Sequence, residues 1–305
     1  MNKKPAIQII LAACLFAPAG AWAAASGAGA VFKLGAGSKA AALSEAFTAG
    51  AGDPAVMFSN PAGLAHEKGS SAMASHSVWF ESVNYTVAAY NRHSEKYGTF
   101  GFGLQMLNYG EIDSTDNTGV ADGSFSPRDL ALSAGLGRAL GENWTAGAQV
   151  KFLSSKIENS ASAFLADLGA QYRRGAVTAG LSLQNAGTKL KYGSVSESVP
   201  TQVRLGAAYA WRAVTAYCDM NSPSDAKTWL ALGAEYKVYS SGRTGGALRA
   251  GYSTRAADAR NDKTFPLSLG LGLTMDALGL DYAFVPYGDL GQTHQLTFGY
   301  HWGGN

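Results

Sequence analysis

Alternation with a period of two residues runs from Ser70 to Trp302, and it constrains the fold of this chain more than any other feature. Trp144, Ala146, Ala148, Val150 and Phe152 share one parity, while Thr145, Gly147, Gln149 and Lys151 share the other. The same division separates Val203, Leu205 and Tyr209 from Gln202, Arg204 and Gly206, and Leu296, Phe298, Tyr300 and Trp302 from Gln295, Thr297, Gly299 and His301. Successive side chains of a strand point to opposite faces, so each segment carries one apolar and one polar face. Fourteen such strands are expected, near 71–80, 83–92, 98–109, 129–138, 144–155, 162–173, 176–185, 200–211, 214–221, 228–239, 246–254, 265–275, 277–287 and 292–302. Residues 110–128, 186–199 and 255–264 are long and polar, whereas Arg174-Gly175, Arg212-Ala213 and Asp276 mark tight turns. An even strand number with short turns alternating with long loops is the pattern of an up-and-down transmembrane barrel.

Past the first 25 residues no apolar run approaches the roughly 20 residues of a membrane helix, so a membrane crossing must be made of strands. Charged residues make up 15% of the chain, below the roughly 25% of soluble domains, which fits a wall facing lipid. A formal net charge of +2 gives no field able to gather nucleic acid, and the expected partner is outer-membrane lipid. Residues 1–25 have Lys3 and Lys4, an apolar run from Ala6 to Ala17, and Ala21-Trp22-Ala23, which is the layout of a cleaved secretory signal. Export to the outer membrane of a Gram-negative-type bacterium is therefore expected. If Cys14 leaves with the signal, Cys218 is alone, which excludes an intramolecular disulfide and a CxxC metal site.

A basic residue facing the bilayer midplane costs about 2–4 kcal/mol, so the polar parity must face inward. It carries Asp129, Asp167, Glu235 and Asp281 against Lys151, Arg204, Lys237 and Arg249. Four acids and four bases that can pair favour a filled or lined interior over a single-sign ion pore. Inward glycines at 101, 103, 135, 147, 206 and 270 either leave room for something against the wall or accommodate strand curvature. Trp79, Phe80, Trp144, Phe152, Trp211, Trp229, Tyr236, Tyr239, Tyr300 and Trp302 lie mostly near strand ends and are expected in the aromatic girdles at the two membrane interfaces.

Residues 26–69 break the alternation and are set apart from the barrel, 70–305, as an N-terminal plug. Ser38 to Ala49 is alanine-rich and reads as a short helix. Asp53-Pro54 supplies an N-cap followed by the residue favoured at the first helical position, so a second short helix is expected from Pro54 to Ser59. It should stop at Asn60-Pro61, where Gly63 can take a positive φ. A barrel of this size is too wide for wall side chains alone to fill, so the lumen is the natural place for the segment. Phe47, Val56, Met57, Phe58 and Leu64 could line an apolar ligand pocket or anchor the plug.

Two runs carry a family resemblance. Leu34-Gly35-Ala36-Gly37-Ser38-Lys39-Ala40, Glu45-Ala46-Phe47, Asp53-Pro54-Ala55 and Asn60-Pro61-Ala62-Gly63-Leu64-Ala65 at one end resemble the PorV/PorQ group of the FadL-type outer-membrane superfamily. At the other end Leu280-Asp281-Tyr282-Ala283-Phe284-Val285-Pro286-Tyr287-Gly288-Asp289-Leu290-Gly291 is similar to that group's ending. The resemblance implies a fourteen-strand barrel with an N-terminal hatch containing the Asn-Pro-Ala motif. In FadL-type members, fatty acids or other hydrophobic compounds enter from outside and leave when the hatch shifts, or sideways through the wall. In PorV-type members the barrel serves type IX secretion as a shuttle for cargo proteins. This chain is short and lacks the large loop insertion that builds an outer capture groove in the fatty-acid channels.

No catalytic or metal constellation accompanies these features. His66, His76, His93, His294 and His301 contain no i, i+4 pair, and no serine signature accompanies His294 and His301. The expected activity is non-enzymatic and cofactor-free: passage of fatty-acid-like hydrophobic molecules. Asp53, Pro54, Asn60, Pro61 and Gly63 shape the hatch, and Phe47, Met57, Phe58 and Leu64 offer apolar contact. The rival expectation is an interaction barrel whose external loops bind secretion components.

Overall fold

The computed structural model describes residues 28–79, 83–115, 119–157, 159–241, 244–255, 267–286 and 291–303. The signal-peptide expectation for 1–25, Phe80 of the expected girdles and residues 256–264 of the expected third long loop lie outside them. Fourteen antiparallel strands close into a barrel: β1 (Ser70–Val78), β2 (Asn84–Ser94), β3 (Gly98–Asn108), β6 (Arg128–Ala139), β7 (Trp144–Lys156), β8 (Ser160–Arg174), β9 (Val177–Gly187), β12 (Gln202–Trp211), β13 (Val214–Pro223), β14 (Trp229–Ser241), β15 (Thr244–Ser253), β16 (Leu267–Met275), β17 (Leu278–Pro286) and β18 (Gln292–Trp302). The seam is the pairing of β1 with β18, in which Ser70 stands opposite Trp302 and Val78 opposite His294. Both ends of the sheet therefore meet at the end that carries the tight turns. Those turns use left-handed backbone at Gly175 (φ 59°), Arg212 (φ 54°) and Asp276 (φ 53°), which a two-residue reversal between twisted strands requires.

At the opposite end, two of the connections expected as long loops contain small ribbons, β4 (Ile112–Thr115) with β5 (Ala121–Phe125) and β10 (Lys189–Tyr192) with β11 (Val195–Ser198). Neither alternates apolar with polar strongly enough to stand out from a polar loop. In β11 every side chain is exposed, so no buried face imposes a pattern.

The parity assignment holds in the wall. Val150, Phe164, Leu168, Leu205, Leu269, Leu271, Leu273 and Phe298 are exposed on the outer face, while Gln149, Lys151, Asp167, Arg204, Asp219 and Glu235 are buried on the inner one. An apolar outer face and a buried polar inner face is the inverse of a soluble protein, and it requires lipid around the wall. At the tight-turn end Trp144 and Tyr172 (4.8 Å) and Tyr300 and Trp302 (5.3 Å) pack as outward aromatic pairs. Trp229 departs from the expected girdle: it is buried inside, with the Arg255 guanidinium 4.6 Å over its ring. Its position at the first residue of β14 gave the right height but not the right face.

The expected helix over 38–49 is only a five-residue α-helix, α1 (Ser38–Ala42). It ends because Ser44 (φ 51°) and Glu45 (φ 66°) turn left-handed, and the Glu45 N–H returns to the Ala40 carbonyl at 2.8 Å. Next come two 3-10 turns, Pro54–Phe58 and Pro61–His66. Asp53 Oδ1 accepts from Ala55 N at 2.8 Å and caps the first, and Asn60 Oδ1 accepts from Ala62 N at 3.0 Å and caps the second. Gly63 has no positive φ, contrary to expectation. It sits inside the second turn because an added Cβ would overlap the Val56 side chain.

Candidate functional site

Residues 28–67 run among the inward-facing side chains of the wall, and glycines provide the space. An added Cβ at Gly147 would overlap Pro61, at Gly169 Asn60, at Gly180 and Gly206 Thr48, and at Gly251 Leu43 and Ser44. Gly137, Gly147 and Gly169 are register partners on β6, β7 and β8, so three strands offer one smooth trough to Asn60-Pro61-Ala62. Of the six inward glycines named from sequence, 101, 103, 147, 206 and 270 face the segment in this way. Gly135 instead abuts Gln149 of the neighbouring strand.

Polar contacts hold the segment to much of the circumference. Asn60, fully buried, donates from Nδ2 to Thr48 O (2.9 Å) and to the wall carbonyls of Ala170 and Leu181 (3.3 Å each). Asp219 Oδ2 accepts from the backbone N–H groups of Phe47 (3.1 Å) and Thr48 (2.9 Å), and Arg204 Nη2 donates to Glu45 O at 2.5 Å. Gln184 Nε2 donates to the carbonyls of Phe58 (3.0 Å) and Ser59 (2.8 Å), and Asn91 Nδ2 to that of Pro54 (2.9 Å). Asp219 was missed in the sequence reading, although its parity with Thr215, Tyr217 and Asn221 was sufficient to place it inside.

The inward charges pair with one another. Lys151 Nζ lies 2.6 Å from Asp167, Arg204 3.3 Å from Asp219, and Arg249 donates from Nε to Glu235 at 2.7 Å and from Nη1 to Asp281. Lys39 of α1 adds to Glu235 at 3.5 Å. Asp129 takes hydroxyl donors instead, Ser155 Oγ at 2.5 Å and Tyr109 OH at 3.2 Å. Lys237 is exposed to open space in the lumen and makes no ion pair within 4.0 Å among the described residues.

Two cavities flank the segment. The inner one, about 710 Å³ at the tight-turn end, is polar and bounded by Lys39, Asp53, Arg173, Lys237, Asp276 and His301 among others. The outer one, about 130 Å³ at the long-loop end, lies between Leu34, Gly35 and Ala41 of the segment and Trp79, Tyr85, Val285 and Pro286 of the wall. Ser38 stands between them: its N–H donates to Thr297 Oγ1 at 2.9 Å, and its Oγ reaches Thr297 Oγ1 at 2.7 Å and Gln295 O at 3.0 Å. Phe47, Met57, Phe58 and Leu64 line neither cavity. They are packed against the wall, Phe58 over Gly103, Leu64 over Gly101, and Phe47 beside Tyr217 at 5.9 Å. Their contacts here are with the wall, and of the two aromatics that line the outer cavity Trp79 reads from sequence as a girdle residue while Tyr85 carries no assignment.

His66 and His93 bond inward neighbours, Gln171 at 2.9 Å and Thr99 at 3.0 Å. His76 and His294 face outward, where His294 Nδ1 meets Tyr282 OH at 2.6 Å. Glu67, at the junction of the segment with β1, is buried with Oε1 unpartnered and Oε2 3.4 Å from Ser71 Oγ. Burial, with Asp53 nearby, lifts its pKa from 4.5 to about 7, against smaller opposing effects of Ser71 and Lys39. A carboxyl whose folded pKa is raised stabilises the fold fully below its unfolded value, and that stability is lost as pH rises through 7. Amide exchange in residues 60–70 should therefore speed up between pH 6 and 8, after correction for intrinsic rates, and Glu67→Gln should flatten the change. A wild-type profile as flat as the variant's would remove Glu67 as the titrating group.

No family model matches the chain, and no curated protein matches it. Solved structures do share its fold. The Ralstonia pickettii toluene transporter TbuX superposes with a TM-score of 0.60 at 13% identity, covering 89% of this chain and 100% of that one. A Pseudomonas aeruginosa FadL homologue gives 0.56 at 12%, covering 88% and 98%. The Pseudomonas putida toluene transporter TodX gives 0.54 at 12%, covering 80% and 91%. The chain thus shares the fold of these barrels, two of which are toluene transporters.

Proposed function

We propose that this chain is an outer-membrane channel for small hydrophobic molecules, closed by residues 26–69 acting as a hatch. The single observation that carries the reading is the pair of cavities, apolar outside and polar inside, divided by the thin stretch Gly35–Ala42. The solved neighbours with this fold include two toluene transporters and a monoaromatic hydrocarbon channel, which supports a hydrophobic cargo. Size refines the class. An apolar cavity of about 150 Å³ holds benzene, so one of 130 Å³ takes a single ring or a short chain rather than an extended fatty acid.

The hatch divides into two parts. Residues 43–64 are keyed into the glycine trough and held by Asn60, Asp219 and Arg204, whereas α1 is held by the Ser38 hydrogen bonds, the Lys39–Glu235 ion pair and one hydrogen bond from Ser268 Oγ to Ala42 O. Shifting α1 alone would join the cavities. The ladder of β17, β18 and β1 beside it is continuous in register, so the route runs along the inner wall rather than sideways through it.

A reversible cross-link tests this. In a Cys218→Ala background, Ser38→Cys with Thr297→Cys should form a disulfide that stops toluene influx into proteoliposomes, with reductant restoring it. Influx unaffected by a completely formed cross-link would rule out α1 as the moving part.

A further inference from the structure

Among the described residues, the outer cavity has one unmet hydrogen-bonding group. Ser253, at the end of β15, is 6% exposed, lines this cavity, and its Oγ has no partner. The other polar groups around it are engaged: Gln295 Nε2 with Ser75 (3.0 Å) and Gly35 O (3.4 Å), Thr293 Oγ1 with Val285 O (3.2 Å), and Ser77 Oγ with Trp79 Nε1 (3.1 Å). Arg255 at the rim is neutralised by Glu45 at 3.2 Å. A buried hydroxyl without a partner is unfavourable, and a native wall that keeps one is completed by whatever occupies the space beside it.

We propose that this cavity binds a compact neutral hydrophobe bearing one hydroxyl, a phenol or short alcohol. Its apolar body would lie against Leu34, Trp79, Tyr85, Val285 and Pro286 and its hydroxyl would pair with Ser253 Oγ. The proposal rests on the reading of the outer cavity as the entry site of a hydrophobic-compound channel, and it makes that entry selective. One vacancy admits one hydrogen-bonding substituent. Among the described residues around it a charged group finds no uncommitted counter-charge, so its desolvation goes uncompensated. A plain hydrocarbon fits by size but leaves Ser253 unpaired, the circumstance in which a site discriminates against an analogue lacking the polar group.

Phenol and toluene binding to the mature protein in detergent, measured by calorimetry, tests the idea. Phenol should bind more tightly than toluene, and Ser253→Ala should weaken phenol about tenfold, the loss expected for one buried hydrogen bond, while leaving toluene within about twofold. Leu34→Trp, which fills the cavity, should abolish both, and heat-modifiable gel migration shows that each variant is folded. Phenol affinity unchanged in Ser253→Ala, or binding that survives Leu34→Trp, overturns the proposal. A water molecule as the only occupant would appear as no binding of either compound. Toluene influx into proteoliposomes separates the two ideas: influx without Ser253-dependent phenol binding defeats this inference alone, while Ser253-dependent binding without influx defeats the channel reading.

Discussion

Removal of residues 28–66 should convert a silent protein into a conducting one in planar bilayers. The wall does not depend on the segment for its ladder, since all fourteen strands pair with each other in a closed ring. What the segment supplies is volume. It occupies troughs where the wall has glycine, so its loss leaves the inner face nearly smooth along Gly137, Gly147 and Gly169. Eight-stranded barrels are filled by their own side chains and sixteen-stranded ones leave aqueous channels. Fourteen strands stripped of bulk on the inside fall toward the second case. The newly wetted groups are largely polar, Asp219, Arg204, Gln184, Gln171 and Asn91 among them, so water replaces the lost partners at modest cost. Because the inward ion pairs remain mutually neutralised, the open pore should discriminate weakly between cations and anions. Stepwise conductance absent from the full-length protein is the expected record. Traces indistinguishable between the two forms would mean that the segment does not close the lumen.

The barrel was legible because its physics is written locally. Two-residue alternation, an even strand count and tight turns at Arg174-Gly175, Arg212-Ala213 and Asp276 each follow from one short stretch of chain and agree with one another. The inward placement of the lumen charges followed from parity, and Asp219 has the same parity as the buried Tyr217 and Asn221. The segment inside was legible only in its punctuation: Asp53-Pro54 caps the turn it was expected to cap, and Asn60-Pro61 ends that turn as expected, whereas the second turn, Pro61–His66, which Asn60 caps, had no place in the expectation. Its helix length was misjudged, because alanine content predicts a helix through Ala49 while Ser44 and Glu45 turn left-handed where the chain passes Gly251 and Gly233 of the wall. That is a tertiary constraint with no local signature. The choice between pocket lining and anchorage, which the sequence left open for the segment's apolar residues, turns on a related point. Phe47, Met57, Phe58 and Leu64 are the segment's greasiest residues, yet grease opposite wall glycines is packed away, and the space is left where Leu34 and Gly35 meet Trp79 and Tyr85. Only the superposition of segment on wall reveals which apolar residues lack neighbours.

Asp167→Ala should be the most destabilising single substitution in the wall. Its carboxylate, 1% exposed, serves three groups at once: Oδ2 accepts from Gln149 Nε2 at 2.6 Å and faces Lys151 Nζ at 2.6 Å, and Oδ1 takes the backbone N–H of Asn185 at 2.7 Å. That last contact lies where the β8–β9 register shifts between Ala166 and Leu168 and where Asn185 adopts φ 59°, so the side chain supplies the acceptor that the interrupted ladder does not. Truncation leaves Lys151, 4% exposed and covered by the Phe32 ring at 4.6 Å, as a buried charge with only Asn185 Oδ1 at 2.8 Å. Breaking a buried pair from one side costs about 3–5 kcal/mol, whereas replacing both members by apolar residues of similar size is often close to neutral. Urea unfolding in lipid vesicles should therefore show a loss of about 3–5 kcal/mol for Asp167→Ala and recovery of most of it in Asp167→Leu with Lys151→Met. The residual deficit should match the unpaired Asn185 N–H, about 1–3 kcal/mol, which neither apolar replacement can satisfy. If Asp167→Ala unfolds within about 1 kcal/mol of the parent, the charge is reached by water and the lumen around Lys151 is open rather than packed.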